Sequence, residues 1–234
     1  MLRRMFVWSA YSLSELHRHV VATYREGRGT RPDVLLIDID GHKAVLKDYT
    51  NSDPWFRRLI GPWAIYREAR ALRQLHDIKG IPRLIRKISP WAMLMEHIEG
   101  TTAKAIPKDQ VGAEHFSRVQ SLITLMHGAG VAHCDLRSGG NTLFDAQGHP
   151  YFVDFVAHFV PGRPWNLFWR WAYAQLCEAD RIAVARLKRR LAPELLTKQD
   201  KKNLERDRKH PLARVARFIG GSIRDISRLV LTKK

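Results

Sequence analysis

Two short runs hold a dense set of oxygen ligands: HCDLRSGGN at 133–141 and VDF at 153–155. They set Asp135 six residues before Asn141, and Asn141 thirteen before Asp154. Upstream, AVLK at 44–47 ends in a lysine, and Glu68 is the only acid in the stretch 62–75. Phosphoryl transfer asks for little covalent chemistry. It needs cations on the phosphates, carboxylates to hold those cations and a carboxylate beside the attacking hydroxyl. This chain carries such parts in that order. A polar loop that merely joins two strands would not explain why Asp, Asn and Asp arrive at these spacings. The segment between Asn141 and Asp154, TLFDAQGHPYFV, reads as strand, turn at Gly148, strand, a shape that brings its two ends together.

On these residues the chain resembles the protein-kinase-like superfamily, over roughly residues 34–157. Within it, the chain is most similar to the small bacterial group that includes lipopolysaccharide-core sugar kinases and RIO-type kinases. The resemblance implies an α+β, bilobal protein-kinase-like fold, with a small antiparallel-sheet N-lobe over 1–100 and a compact helical C-lobe over 101–234. It implies ATP and Mg²⁺ as cofactors. Lys47 would reach the α- and β-phosphates, with Glu68 paired to it. Asp135 would accept or orient the proton of the acceptor hydroxyl, and Asn141 and Asp154 would bind Mg²⁺. His133 would pack as a structural hub. The adenine edge would meet the backbone at Glu96, His97 and Ile98, with Val45 and Leu143 on the ring. Gly27 and Gly29 stand 20 and 18 residues before Lys47, where a glycine-rich phosphate loop belongs. Full G-x-G-x-x-G spacing is missing there, so cradling would fall to Arg28, Thr30 or backbone amides.

Three departures carry consequences. The Asp135–Asn141 interval is one residue longer than the common pattern, and Gly139 and Gly140 can absorb the extra residue as a bulge. Cys134 replaces the arginine that binds a phosphorylated activation loop, so switching of that kind is not expected. Val156 replaces the glycine of the metal motif, which limits backbone flipping. Ala192-Pro193-Glu194 spells the end of an activation loop but reads by context as a helix–loop–helix junction before a Thr197 cap. None of His127, His133 and His158 has an HxxxH or HExxH partner, which argues against zinc.

The elements that must position these residues follow from local pattern. Ser12-Leu-Ser-Glu15 is a capping box, and ELHRHVVATYRE after it reads as a helix. EGRGTRPD breaks it. Asp40-Gly41 between two β-rich runs predicts a hairpin. PWAIYREARALRQLHD is a helix with apolar Ile65, Ala69, Leu72 and Leu75. KGIPRLI and WAMLMEHIEG read as strands. HFSRVQSLITLMHGAG is a helix ending in glycine. From Trp165 onward the chain reads as helices, with the aromatic run PWNLFWRWAY packed as a helix face or, as the lesser reading, touching a membrane interface through its Trp and Arg.

The chain of 234 residues has 40 Lys and Arg against 23 Asp and Glu, a formal charge of +17. Its 45% apolar content excludes wholesale disorder. No apolar run is long enough for an ordinary transmembrane helix. Met1–Leu13 has the faint look of a signal peptide but lacks a small-residue cleavage site, and it reads as mature protein. Cys134 and Cys177 form no disulfide framework, which fits a reducing cytoplasm. From Arg181 onward there are 17 Lys and Arg against 5 Asp and Glu, an excess that attracts polyanions. In the tail, Ser222-x-x-Asp225 caps a stripe of Ile223, Ile226, Leu229 and Val230 flanked by Arg224, Arg228, Lys233 and Lys234. That stripe packs on the C-lobe or lies on an anionic bilayer. The expected protein is a monomeric, cytoplasmic kinase, peripheral to the inner membrane, acting on a hydroxyl of a lipopolysaccharide-core sugar or related glycolipid. A RIO-like serine/threonine protein kinase or ATPase near ribosomes or RNA is the alternative. A catalytically weak kinase-like binding module is the third reading.

Overall fold

The structure, a computed structural model, describes residues 6–209. They form two compact units, one of residues 6–73 with 82–97 and one of residues 74–81 with 98–209. The basic stripe at 222–234 lies outside the described residues.

The first unit is built on a five-stranded antiparallel sheet. Its strands are β1 (Val20–Arg25), β2 (Asp33–Ile39), β3 (His42–Asp48), β4 (Leu84–Lys87) and β5 (Ala92–Glu96), in the order β1-β2-β3-β5-β4. The Asp40-Gly41 turn closes β2 on β3, with Ile39 opposite His42 and both turn residues at positive φ. That is the geometry two-residue hairpins require. Period-two alternation sends Leu35, Ile37 and Ile39 of β2, Ala44 and Leu46 of β3, and Ala92 and Leu94 of β5 into one buried cluster with Leu16. Val45 and Lys47 take the alternate positions of β3, opposite Met95 and Met93.

One expectation is overturned here. The helix that starts at the Ser12 capping box, α1 (Leu13–Arg18), is one and a half turns long, and Val20–Arg25 is strand β1. The capping box forms as read. The β-branched and aromatic run Val20-Val21-Ala22-Thr23-Tyr24 then pairs with β2, and these stiff side chains favour the pleated surface over another helical turn. Two helices follow β3: α2 (Pro54–Leu59) and α3 (Gly61–Gln74). α3 buries Ala64, Ile65, Glu68, Ala69 and Leu72 along one face.

The second unit carries α4 (Ala113–Gly128), α5 (Leu167–Leu191) and α6 (Lys198–Lys209), with α5 packed on both α4 and α6. A small sheet, absent from the sequence reading as a three-stranded unit, joins β6 (Thr101–Thr102), β7 (Thr142–Phe144) and β8 (Pro150–Phe152). The Ala192-Pro193-Glu194 segment opens a single 3-10 turn between α5 and α6, as its context implied. Thr197 then caps α6: its hydroxyl accepts from the Asp200 amide at 3.0 Å, and Asp200 Oδ2 accepts from Thr197 N–H and from Lys188 Nζ. A second expectation fails on α5. The run from Trp165 to Trp171 does not pack as a helix face; Trp165, Leu167, Phe168, Trp169 and Trp171 are all exposed.

Burial works against the charge of Asp200, yet the hydrogen bonds from Lys188 and Thr197 hold its carboxyl below the usual carboxylate range. Asp200→Asn is expected to cost about 1–2 kcal/mol in denaturant unfolding. The folded carboxyl ionises at lower pH than the unfolded one. The stabilisation is therefore full above the ordinary carboxylate range and drains as pH falls through the folded value. A wild-type advantage that persists undiminished in acid would refute this linkage.

Candidate active site

In the first unit, β3 is the central strand, hydrogen-bonded to β2 and β5, and Lys47 sits between Val34 and Met93. Its side chain is buried, with Nζ 2.5 Å from Oε2 of Glu68, which is equally buried on α3. The helical period places Glu68 in line with Ile65 and Leu72, so the acid faces inward. Taking two charges out of water costs several kcal/mol each, and a pair of this kind is weak evidence for stability. Its position in the middle of a sheet calls for another reason.

The loop at 26–32 joins β1 to β2. Gly27 donates its N–H to Asp33 Oδ1 at 2.6 Å, and Asn51 Nδ2 donates to Asp33 Oδ2 at 2.8 Å. A Cβ on Gly27 would lie 2.9 Å from the Asp33 nitrogen, and Gly29 has φ +62°. Both glycines answer a backbone requirement of the loop. The Gly27 amide is engaged by a side chain of its own unit, and the carbonyl of Gly29 accepts from Asp53 N–H at 2.7 Å. Asp33 was not singled out from the sequence. Its signal was an acid at the first buried position of an alternating strand.

At the end of β5, Glu96 donates its N–H to the Arg83 carbonyl, and its carboxylate accepts from Arg83 N–H at 3.0 Å. The His97 ring stacks on Tyr24 and shares a 2.9 Å hydrogen bond with its hydroxyl. Val45 is half-buried on β3.

In the second unit, Ala132 forms an isolated bridge with Phe159, and the chain then enters the loop of Asp135. His133 is fully buried. Its Nε2 lies 3.0 Å from the Val153 carbonyl, and its Nδ1 accepts from the Asp135 amide at 3.3 Å. This pattern fixes the tautomer with the proton on Nε2. The ring also packs on Phe155 and edge-on to Phe152. Asn141 Nδ2 donates both to the Asp135 carbonyl at 2.9 Å and to Asp135 Oδ2 at 3.0 Å. Gly139 takes a left-handed turn, φ +67°, in the interval between them.

The β7–β8 hairpin brings Asn141 toward Asp154. Thr142 pairs with Phe152, and Val153 N–H donates to the Asn141 carbonyl at 3.0 Å. Its turn is held by Asp145, which accepts from the amides of Gln147 and His149 and from the His149 ring. Burial raises the Asp145 carboxyl, but these hydrogen bonds outweigh it and hold the group low. Leu143 is half-buried on β7. Ile98 also belongs to this unit and is half-buried.

Three non-glycine residues among those described have positive φ: Asp40, Cys134 and Asp154. Asp40 belongs to its hairpin turn. Cys134 and Asp154 are left-handed within the loop of Asp135 and at the start of the 3-10 turn Phe155–Ala157. Such a conformation costs on the order of 1–3 kcal/mol and persists where the surroundings over-determine it. For Cys134 the cause is visible. Asp180, buried on α5, accepts from His133 N–H at 2.7 Å and from Cys134 N–H at 2.9 Å, and it lies 3.0 Å from His127 Nε2. Asp180 was missed from the sequence. Its signal was a lone acid in the buried stripe Leu176, Cys177, Asp180, Ala183, Val184 of α5.

No protein-family model matches the chain, and no curated protein matches it in sequence. Solved structures do match in shape. The Rio2 kinase from Chaetomium thermophilum aligns at TM-score 0.51 and 18% identity, over 82% of this chain and 73% of that one. The Rio2 kinase–ADP/Mg²⁺–phosphoaspartate complex from the same organism aligns at TM-score 0.46 and 19% identity, over 82% and 72%. This chain's own architecture, a five-stranded antiparallel sheet in one unit and mainly helices in the other, is consistent with the likeness of fold to the first of these. The chain therefore has a protein-kinase-like α+β fold.

Proposed function

We propose that the protein is an ATP- and Mg²⁺-dependent phosphotransferase acting on an alcohol. The observation that carries this reading is the clasp of Asn141 on Asp135. The amide nitrogen is committed to Asp135, so the amide oxygen is the atom left for a cation. Asp154, thirteen residues on, supplies a carboxylate. An amide oxygen and a carboxylate are a hard, incomplete ligand set, which suits an ion that keeps several waters and takes phosphate oxygens. When bound, Mg²⁺ neutralises charge on the phosphates. Lys47, held by Glu68, contributes a fixed positive charge toward the α- and β-phosphates. Asp135 orients the acceptor hydroxyl and takes its proton as the new O–P bond forms and the bond to the departing ADP breaks. With the Glu96 amide donated to Arg83, a nucleobase would take its backbone contacts from the Glu96 carbonyl and the 97–98 amides.

For the acceptor, a serine or threonine of a protein comes first, on the likeness of fold to Rio2 kinase. The second reading is a hydroxyl of a lipopolysaccharide-core sugar or related glycolipid, favoured by the cationic excess that would meet an anionic lipid. Transfer of label from γ-labelled ATP to protein or to extracted glycolipid separates the two.

Asp154→Ala is expected to weaken Mg²⁺·ATP binding by about tenfold to a hundredfold, the usual loss on removing a metal-site group, while metal-free ATP binds as before. Titration calorimetry with and without Mg²⁺ reads both. Equal Mg²⁺·ATP affinity in wild type and variant would remove Asp154 from the metal.

A further inference from the structure

The start of α5 is unlike the rest of that helix. None of residues 167–175 is buried, whereas Leu176, Cys177, Asp180, Ala183, Val184, Ala185, Leu187 and Leu191 are. Trp165 is 73% exposed, Leu167 74%, Phe168 67% and Trp171 48%. At 3.6 residues per turn, Leu167, Phe168 and Trp171 fall within an arc of about 100°. Phe168 and Trp171 touch, with ring centroids 6.0 Å apart. Trp169 meets Phe168 edge-on at 6.1 Å and also stacks on Phe159 at 5.0 Å, and Asn166 caps the helix through the Trp169 amide. The helix start is therefore anchored while its other aromatics are left in water. Three of the seven tryptophans of the chain lie between 165 and 171.

The charge on this segment has one sign. No Asp or Glu occurs from 155 to 177, whereas Arg163 and Arg170 flank the apolar residues. The Arg163 guanidinium lies 5.4 Å from the centre of the Trp165 ring. An exposed apolar group of this size marks an interaction surface. Its composition selects the partner. Indole rings settle at the level of lipid headgroups, arginines reach phosphates from an apolar surface, and Leu and Phe enter the acyl boundary. A single-stranded nucleic acid would ask for stacking rings set in a basic groove. Here the cations lie at the sides, and Leu167, which offers no π-face, is the most exposed of the apolar groups.

We propose that Arg163, Trp165, Leu167, Phe168, Arg170 and Trp171 form a docking surface for an anionic lipid bilayer. This surface is independent of the phosphotransfer reading, and its test uses no nucleotide.

The full chain is mixed with vesicles of phosphatidylglycerol and phosphatidylcholine, or of phosphatidylcholine alone. Binding is read by cosedimentation and by the blue shift of tryptophan emission. Wild type is expected to bind the anionic vesicles preferentially. The triple variant W165S/F168S/W171S is expected to lose at least about tenfold in partitioning. The charge variant R163Q/R170Q, with every ring kept, is expected to lose about 30-fold at low salt on anionic vesicles only. Should the triple variant fail to fold by circular dichroism, the charge variant decides. Three results each overturn the proposal: no preference of wild type for anionic vesicles, undiminished vesicle binding by the folded variants, or variants that lose affinity for an RNA oligonucleotide while keeping it for vesicles.

Discussion

Asp135→Ala is expected to lower kcat by about 10²–10⁴-fold, the range that a positioned general base supplies, with nucleotide affinity close to that of wild type. The reason is the division of labour in the site. The carboxylate of Asp135 accepts from Asn141 Nδ2, while the groups proposed to hold the phosphates and the metal are Lys47, with Glu68 beside it, Asp154 and the Asn141 amide oxygen. In the proposed reaction its loss would remove the group beside the acceptor and leave the groups that would hold charge on the phosphates. Asn141 also keeps a partner, because its Nδ2 bonds the backbone carbonyl of residue 135. The structural penalty of the substitution is thus small, and a fall in turnover can be read as chemistry. Asp135→Asn sharpens the test: it keeps the shape and removes the base, so it should be about as slow as the alanine variant. Single-turnover transfer from labelled ATP measures the rate, and fluorescent-nucleotide titration measures the affinity. Turnover unchanged in both variants would strip Asp135 of its role.

Asp180→Ala is expected to be the most damaging substitution for the fold of the second unit, at about 3–5 kcal/mol. Three donors converge on this one buried carboxylate: two consecutive backbone amides, His133 and Cys134, and the ring of His127. Two of them have no water to turn to, since His133 is fully buried and the His127 side chain is 7% exposed. The loss is comparable to the total stability of many domains. The backbone adds a second effect. Cys134 is held left-handed against its own preference, and Asp180 accepts from its amide there. The loop bearing Asp135 should relax, so turnover falls even where the protein still folds. Asp180→Asn keeps one acceptor oxygen and should fall between. Denaturant unfolding of the three proteins gives the order. A loss below about 1 kcal/mol for the alanine variant would show that the amides find other partners.

Much of the site was legible because its signals are short-range. The Asp40-Gly41 hairpin, the Ser12 capping box and the face of α3 follow from turn chemistry and from the periods of strand and helix. Those elements put Lys47 on a central strand and Glu68 on the buried face of the next helix. The interval from Asn141 to Asp154 likewise declares a hairpin, because a strand–turn–strand of that length returns to its start.

The residues that sequence reasoning passed over share one property: their meaning depends on what packs against them. Asp33 and Asp180 are single acids on otherwise apolar faces, and only the folded chain shows that each receives backbone amides from elsewhere. Val20–Arg25 follows a capped helix directly, and its β-branched and aromatic side chains pair with β2 instead of extending that helix. Gln74 at the end of α3 and residues 75–81 after it belong to the second unit, which no local pattern announces. The aromatic run at the start of α5 has the same composition whether it is core or surface. What the sequence determined by itself was the identity and order of the chemical groups, since these follow from spacing along the chain. What the tertiary structure alone decided was which buried acids hold the backbone in place and which apolar side chains are left facing water, because burial belongs to the surroundings and not to the residue.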